Sequence, residues 1–105
     1  MTKHEETARQ NHKMGNNCAV SVYTAFSDVN INPGSIPAPR SDGGKCGAYL
    51  SAVKLLQDMG IEKTDNFEAE FLKRFGSLKC GDLRRNGPGC NNLVGAAAEI
   101  VESLV

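Results

Sequence analysis

Tryptophan is absent from this chain, and the other aromatics are few: four phenylalanines and two tyrosines in 105 residues. A core must therefore be filled by small aliphatic side chains and the phenylalanines. Neither sign of charge is in excess, since twelve lysines and arginines cancel twelve aspartates and glutamates. That balance removes the electrostatic argument for a nucleic-acid partner or an anionic membrane surface. No apolar run approaches the length of a transmembrane helix, and residues 1–14 are polar, with no secretory apolar core. The expectation is a cytoplasmic protein with no membrane insertion. Several chemical motifs are missing too. There is no C-x-x-C, which takes away the usual warrant for a thioredoxin-type pair or a zinc ribbon. The common ferredoxin spacings, a c-type haem attachment motif, a phosphate-binding Gly-rich loop and a hydrolase nucleophile elbow are absent as well.

What is present is a helical pattern with four cysteines. The length fits one domain. Residues 1–14 are rich in helix formers but offer a core only Ala8 and Met14, so they read as a polar N-terminal arm or frayed helix on the surface. His4 and His12 lie in this segment and read as surface residues without a metal. Residues 15–105 read as a single helical four-cysteine domain. Asn16 and Asn17 supply N-cap chemistry for a first helix over about residues 17–28, because a short amide oxygen can accept from the free N–H groups of the next turn. Its polar positions Ser21, Thr24 and Asp28 share one face. A long connection follows, with a turn at Asn32-Pro33-Gly34 and extended residues around Pro37 and Pro39.

A second helix is expected over about residues 44–59, with Gly47, Ser51, Lys54 and Asp58 on one face and Gly60 ending it. Thr64, Asp65 or Asn66 can cap a third, ending at Phe75, in which Phe67, Phe71 and Phe75 recur at i+4 as a core stripe. Residues 77–89 hold at most one helical turn around Cys80, then a turn at Asn86-Gly87-Pro88-Gly89. A fourth helix runs from Cys90 to the end, burying Leu93, Ala97, Ile100, Val101 and Leu104. The fold class expected is all-α, a small bundle of four main helices with the four cysteines gathered at one end and no sheet.

Cys18, Cys46, Cys80 and Cys90 each fall at or near an expected helix start. Consecutive helices normally begin at alternate ends of a bundle, so their meeting needs a route. The first helix is about 18 Å long at 1.5 Å per residue. The connection after it, of about fifteen residues, can span roughly 50 Å. It can run back along the bundle and leave the first two helices parallel, after which the third returns the chain to the same end. Helix N-termini carry free N–H donors and partial positive charge, which favour thiolate, the form that binds metal or attacks disulfides. Gly47 and Ala48 beside Cys46, with Gly81 and Gly89 beside the others, leave room for backbone N–H groups to approach a sulfur-bound centre. The competing reading is that Cys18 and Cys46 are small buried hydrophobes in separate parts of the core.

The order Asn17-Cys18, then Gly43-Gly44-Lys45-Cys46-Gly47-Ala48, then Phe75-Gly76-Ser77-Leu78-Lys79-Cys80, then Cys90 before an Ala-rich helix resembles a known family. It is the family of small redox-active proteins with four characteristic cysteines and a CGAxxG motif. The resemblance runs from about residue 14 to the end. It implies that Cys18, Cys46, Cys80 and Cys90 are the functional cysteines and that Gly47 and Ala48 belong to the cofactor-binding motif. Ser51 stands where the motif has its last glycine, and the segment between Cys80 and Cys90 is short for the family. A related four-cysteine domain occurs in some multihaem cytochromes, where an iron–sulfur centre is the suggested cofactor.

Three functions stay open on these residues. The first is a redox or electron-transfer module holding a small iron–sulfur cluster, [2Fe–2S] in the first instance, on all four sulfurs. The second is a metal-free thiol–disulfide protein, with Cys80 and Cys90 as the nearest pair in sequence. The third is a module with a structural zinc held by the four cysteines. A redox partner protein is implied by the first two but not named by the sequence, and a homodimer is compatible with it.

Overall fold

The computed structural model describes residues 3–27, 44–86 and 89–104. Among them are six helices: α1 (Lys3–Lys13), α2 (Cys18–Thr24), α3 (Gly47–Asp58), α4 (Thr64–Phe75), α5 (Cys80–Asn86) and α6 (Cys90–Leu104). No strand occurs among the described residues; the nearest approach to one is a lone antiparallel bridge between Lys45 and Lys79. The all-α expectation therefore holds, while the count of four main helices does not. The connection between α2 and α3 and the centre of the Asn86–Gly89 turn lie outside the described residues, as does Asp28.

The two added helices have clear physical causes. Helix α5 is longer than a single turn because Leu83 is fully buried and anchors it, while its amide donates to the Lys79 carbonyl at 3.0 Å. Helix α1 is part of the bundle and not a surface arm. Ala8 is fully buried and Glu5 nearly so, whereas Met14, expected to help the core, is 66% exposed. Polar side chains do most of the docking. Arg9 donates to Glu5 at 3.0 Å and to the Asn92 side chain at 3.0 Å, and its guanidinium covers Gly95, where any Cβ would collide with it. Asn91 returns a bond to the Arg9 carbonyl at 3.1 Å. Neither histidine is a plain surface residue: His4 stacks on Phe26 with ring centroids 4.2 Å apart and bonds to Glu102, and the half-buried His12 lies 3.4 Å from the Asn91 amide.

Helix α1 also explains a second departure. The polar face expected on α2 is covered at Ser21 and half-covered at Thr24. Asn11 of α1 donates to the Ser21 carbonyl at 3.4 Å and to the Thr24 hydroxyl at 3.1 Å, and Ser21 is fully buried. Likewise, the small residues assigned to a polar face of α3 split: Gly47 and Ser51 are buried. The Ser51 hydroxyl donates to the Ala19 carbonyl of α2 at 2.8 Å, so the two helices meet through a small, satisfied polar contact.

The aromatic stripe of α4 is as expected at two positions of three. Phe67 and Phe71 are fully buried, and Phe75 is half-buried against the same core. Tyr49 of α3 lies 5.9 and 5.8 Å from the first two rings, within the usual range for aromatic pairs. No side chain caps the helix; Lys63 stands at the N-cap and Thr64 is already helical. Gly76 ends it in the left-handed region at φ 79°, where its amide donates to the Leu72 carbonyl at 2.7 Å. Helix α6 is buried nearly all round, including Val94, Gly95, Ala96 and Ala98 beyond the expected face, because α1 covers the side that would otherwise be wet.

This packing sets two stability outcomes. Phe71→Ala is expected to cost about 3–5 kcal/mol in chemical denaturation, and Phe75→Ala, at a half-exposed site, about 1 kcal/mol. Ala8→Phe is expected to cost about 1–3 kcal/mol through overpacking between α1 and α6. A neutral Ala8→Phe would mean that α1 is detached in solution.

Candidate functional site

Each of the four cysteines stands where a helix begins. Asn17 is the N-cap of α2, its side-chain oxygen accepting from the Val20 amide at 2.8 Å, and Cys18 is the first helical residue. Cys46 is itself the N-cap of α3, in extended backbone, and Cys80 and Cys90 open α5 and α6. Gly89 precedes Cys90 at φ 78°, a conformation that suits glycine and turns the chain into α6. All four cysteines are free thiols. Cys46 is buried, and the other three are half-buried.

Backbone contacts draw two of these starts together. The Cys46 amide donates to the Leu78 carbonyl at 2.7 Å, next to the Lys45–Lys79 bridge. Cys46 and Cys80 thus each follow directly on one strand of the same short crossing. Ser51, bonded to Ala19, fixes α3 against the first turn of α2 in the same way.

The thiols sense one another. Burial first, then the neighbouring thiols of Cys90, Cys46 and Cys80, push the Cys18 thiol from its ordinary 9.0 up to about 12. Burial also raises Cys46, with smaller contributions from Cys80 and Cys90. The amides of Tyr49 and Ala48 act in the opposite direction at Cys46, although no conventional side-chain cap bond forms. Cys18 and Cys46 each lie within electrostatic reach of Cys80 and Cys90.

Gly47 and Ala48 are both buried, and Ala48 contributes its N–H to the Cys46 sulfur. Gly81 is different: a Cβ there would meet nothing, so no close packing depends on it. Two contributors escaped sequence reasoning. Tyr49 was legible, because it is the third residue after an N-cap, and that amide is the usual partner of a capping side chain. The Leu78 carbonyl was not, since its partner lies far away in sequence.

As a donor set, four cysteines match soft, thiolate-bound centres, iron–sulfur or zinc. Among the described residues, no three His, Cys, Asp or Glu side chains form a group that could hold a metal ion.

The raised Cys18 value has a directional consequence. In the metal-free protein the unfolded chain loses this proton before the folded one does. The stability linked to it is present below about pH 9 and falls as pH rises toward about 12. At pH 8, iodoacetamide should modify Cys18 far more slowly than it does a cysteine in an unfolded peptide, whose thiolate fraction is about 1000-fold larger. Site-resolved alkylation by mass spectrometry checks this, and equal rates would refute a shielded Cys18.

Comparison with known proteins adds no relative. No family model matches the chain, no curated protein matches it, and no solved structure matches it.

Proposed function

We propose that this protein is a redox or electron-transfer module whose working part is the set Cys18, Cys46, Cys80 and Cys90, gathered at one end of the helical bundle. In this reading the four sulfurs hold a small iron–sulfur cluster, [2Fe–2S]. The supporting observation is electrostatic: Cys18 feels all three other thiols, and Cys46 feels Cys80 and Cys90. Sulfurs so placed ionise together only if a cation supplies the missing charge, which iron does. The bound cluster would contribute one-electron transfer. The chain's own part is to deliver four thiolates from helix N-termini, to aim the Ala48 and Tyr49 amides at the Cys46 sulfur, and to keep Cys46 from solvent. Hydrogen bonds to sulfur and burial are the protein's levers on a cluster's potential.

A single zinc needs its donors around one point, which the described residues do not provide. A binuclear cluster divides four sulfurs between two irons and takes a wider spread. A metal-free thiol–disulfide function is the second reading, favoured by the influence of Cys90, Cys46 and Cys80 on the Cys18 thiol. The sequence resemblance to the redox-active four-cysteine family supports either of the two redox readings.

Anaerobic purification followed by metal and sulfide analysis tests the proposal. Iron and acid-labile sulfide in equal amounts, with visible absorption lost in Cys46→Ser, are expected. A colourless protein with stoichiometric zinc would replace the cluster by a structural site. A colourless, metal-free protein that takes up neither iron nor sulfide after reduction would leave the disulfide function in its place.

A further inference from the structure

Residues 76–79 join α4 to α5 and carry the chain into Cys80. Leu78 is the one apolar residue among them, half-buried against the core. The shape of so short a connection rests mainly on hydrogen bonds. The Ser77 hydroxyl can donate and accept, and here it does both. Its oxygen accepts from the Lys79 amide at 3.1 Å, and it donates to the Asp82 carboxylate, in the first turn of α5, at 3.0 Å. Asp82 also accepts from Arg85. Leu78 sits inside this loop of bonds, and its carbonyl accepts from the Cys46 amide at 2.7 Å. The same crossing sets Lys45 opposite Lys79, and like charges facing each other across an antiparallel pair work against it. The crossing therefore needs a hold from outside itself. The Ser77–Asp82 bond stands where it can supply one.

We propose that Ser77 and Asp82 are positioning residues of the cysteine site, fixing the turn that presents the Leu78 carbonyl to Cys46 and starts α5 at Cys80. This rests on the reading that the four cysteines work as one site. Both residues act through backbone: Ser77 on the Lys79 amide, and Asp82 through Ser77. Cys46 is 2% exposed. When the turn loosens, the Cys46 amide loses its partner and the buried sulfur is opened to solvent. Hydrogen bonding and burial around sulfur tune a centre held there, so the two residues act on the site without being ligands. Because they stand in series, removing either breaks the same chain of bonds, and their effects do not add. Alanine at position 77 can make neither bond, whereas threonine can make both.

Residue-resolved amide hydrogen exchange on the full, reduced, metal-free chain reads this hold. Ser77→Ala is expected to speed exchange at the Cys46 amide by about tenfold, the effect of losing two modest hydrogen bonds, while amides in the middle of α6 change by less than about twofold. Ser77→Thr should restore the parent rate. The Ser77→Ala/Asp82→Ala double variant should exchange at the Ser77→Ala rate. An unchanged Cys46 amide in Ser77→Ala, equal acceleration at every amide, or single effects that multiply in the double variant overturn the proposal. If circular dichroism shows Ser77→Ala unfolded, Asp82→Asn decides by the same measurement. It keeps an oxygen for Ser77 but loses the charge, so about threefold faster exchange at Cys46 is expected, and no change overturns the proposal. Iron and sulfide analysis of the parent protein reports on the cluster separately. A protein without iron whose Cys46 amide responds as expected loses the cluster and keeps the positioning; an iron-loaded protein whose Cys46 amide does not respond loses the positioning alone.

Discussion

Close approach to helix α6 is the constraint on which the arrangement depends. Its centre, Gly95-Ala96-Ala97-Ala98, carries almost no side chain, and all four residues are buried. Helices α1, α2, α3 and α4 all pack against it. A helix surrounded in this way has to present small residues, because interiors fill at near-crystalline density and a large side chain on any side would push a neighbour out. The lack of tryptophan and the scarcity of other aromatics fit the same geometry. Tyr49, Phe67 and Phe71 meet in the layer between α3 and α4, while Phe26, after α2, stacks on His4 of α1.

A second constraint acts at the thiols. Ionising Cys18 or Cys46 carries the cost of desolvating a charge, with mutual repulsion added to it, and at Cys46 the Tyr49 and Ala48 amides act in the opposite direction. Elsewhere in the molecule charge is compensated in ordinary fashion. Glu99 is held below its usual range by Arg74, and Asp82 by Arg85 and Ser77. The contrast gives the proposed redox role its physical content: the sulfurs share one region, and the countercharge they need would have to come from a bound cation or be made unnecessary by joining sulfurs in a bond.

The four core helices were readable because each carries a 3.6-residue apolar period and a punctuating residue, such as Asn17 before α2 or Gly76 after α4. Helix α1 reads as a surface arm for a reason that periodicity cannot correct. It docks through Arg9, Asn11 and His4, and polar residues signal burial only when their partners are known. Ser51 and Ser21 mislead in the same way: each is buried with its hydroxyl satisfied by a backbone carbonyl, Ala19 for one and Asn17 for the other.

The sequence by itself determined that the chain is helical, that its cysteines begin helices, and that Cys46 stands beside residues small enough for backbone to approach its sulfur. These are local properties, set by capping, propensity and side-chain volume within a few residues. Only the tertiary structure decided which thiols are electrostatic neighbours. The pairing nearest in sequence was Cys80 with Cys90, yet Cys90 is also the cysteine that acts most strongly on Cys18, near the other end of the chain. That choice follows from how α2 and α6 cross, and from the Cys46–Leu78 and Ser51–Ala19 bonds that place α3 between distant segments. Each is a contact between residues far apart in sequence, and no local pattern encodes it.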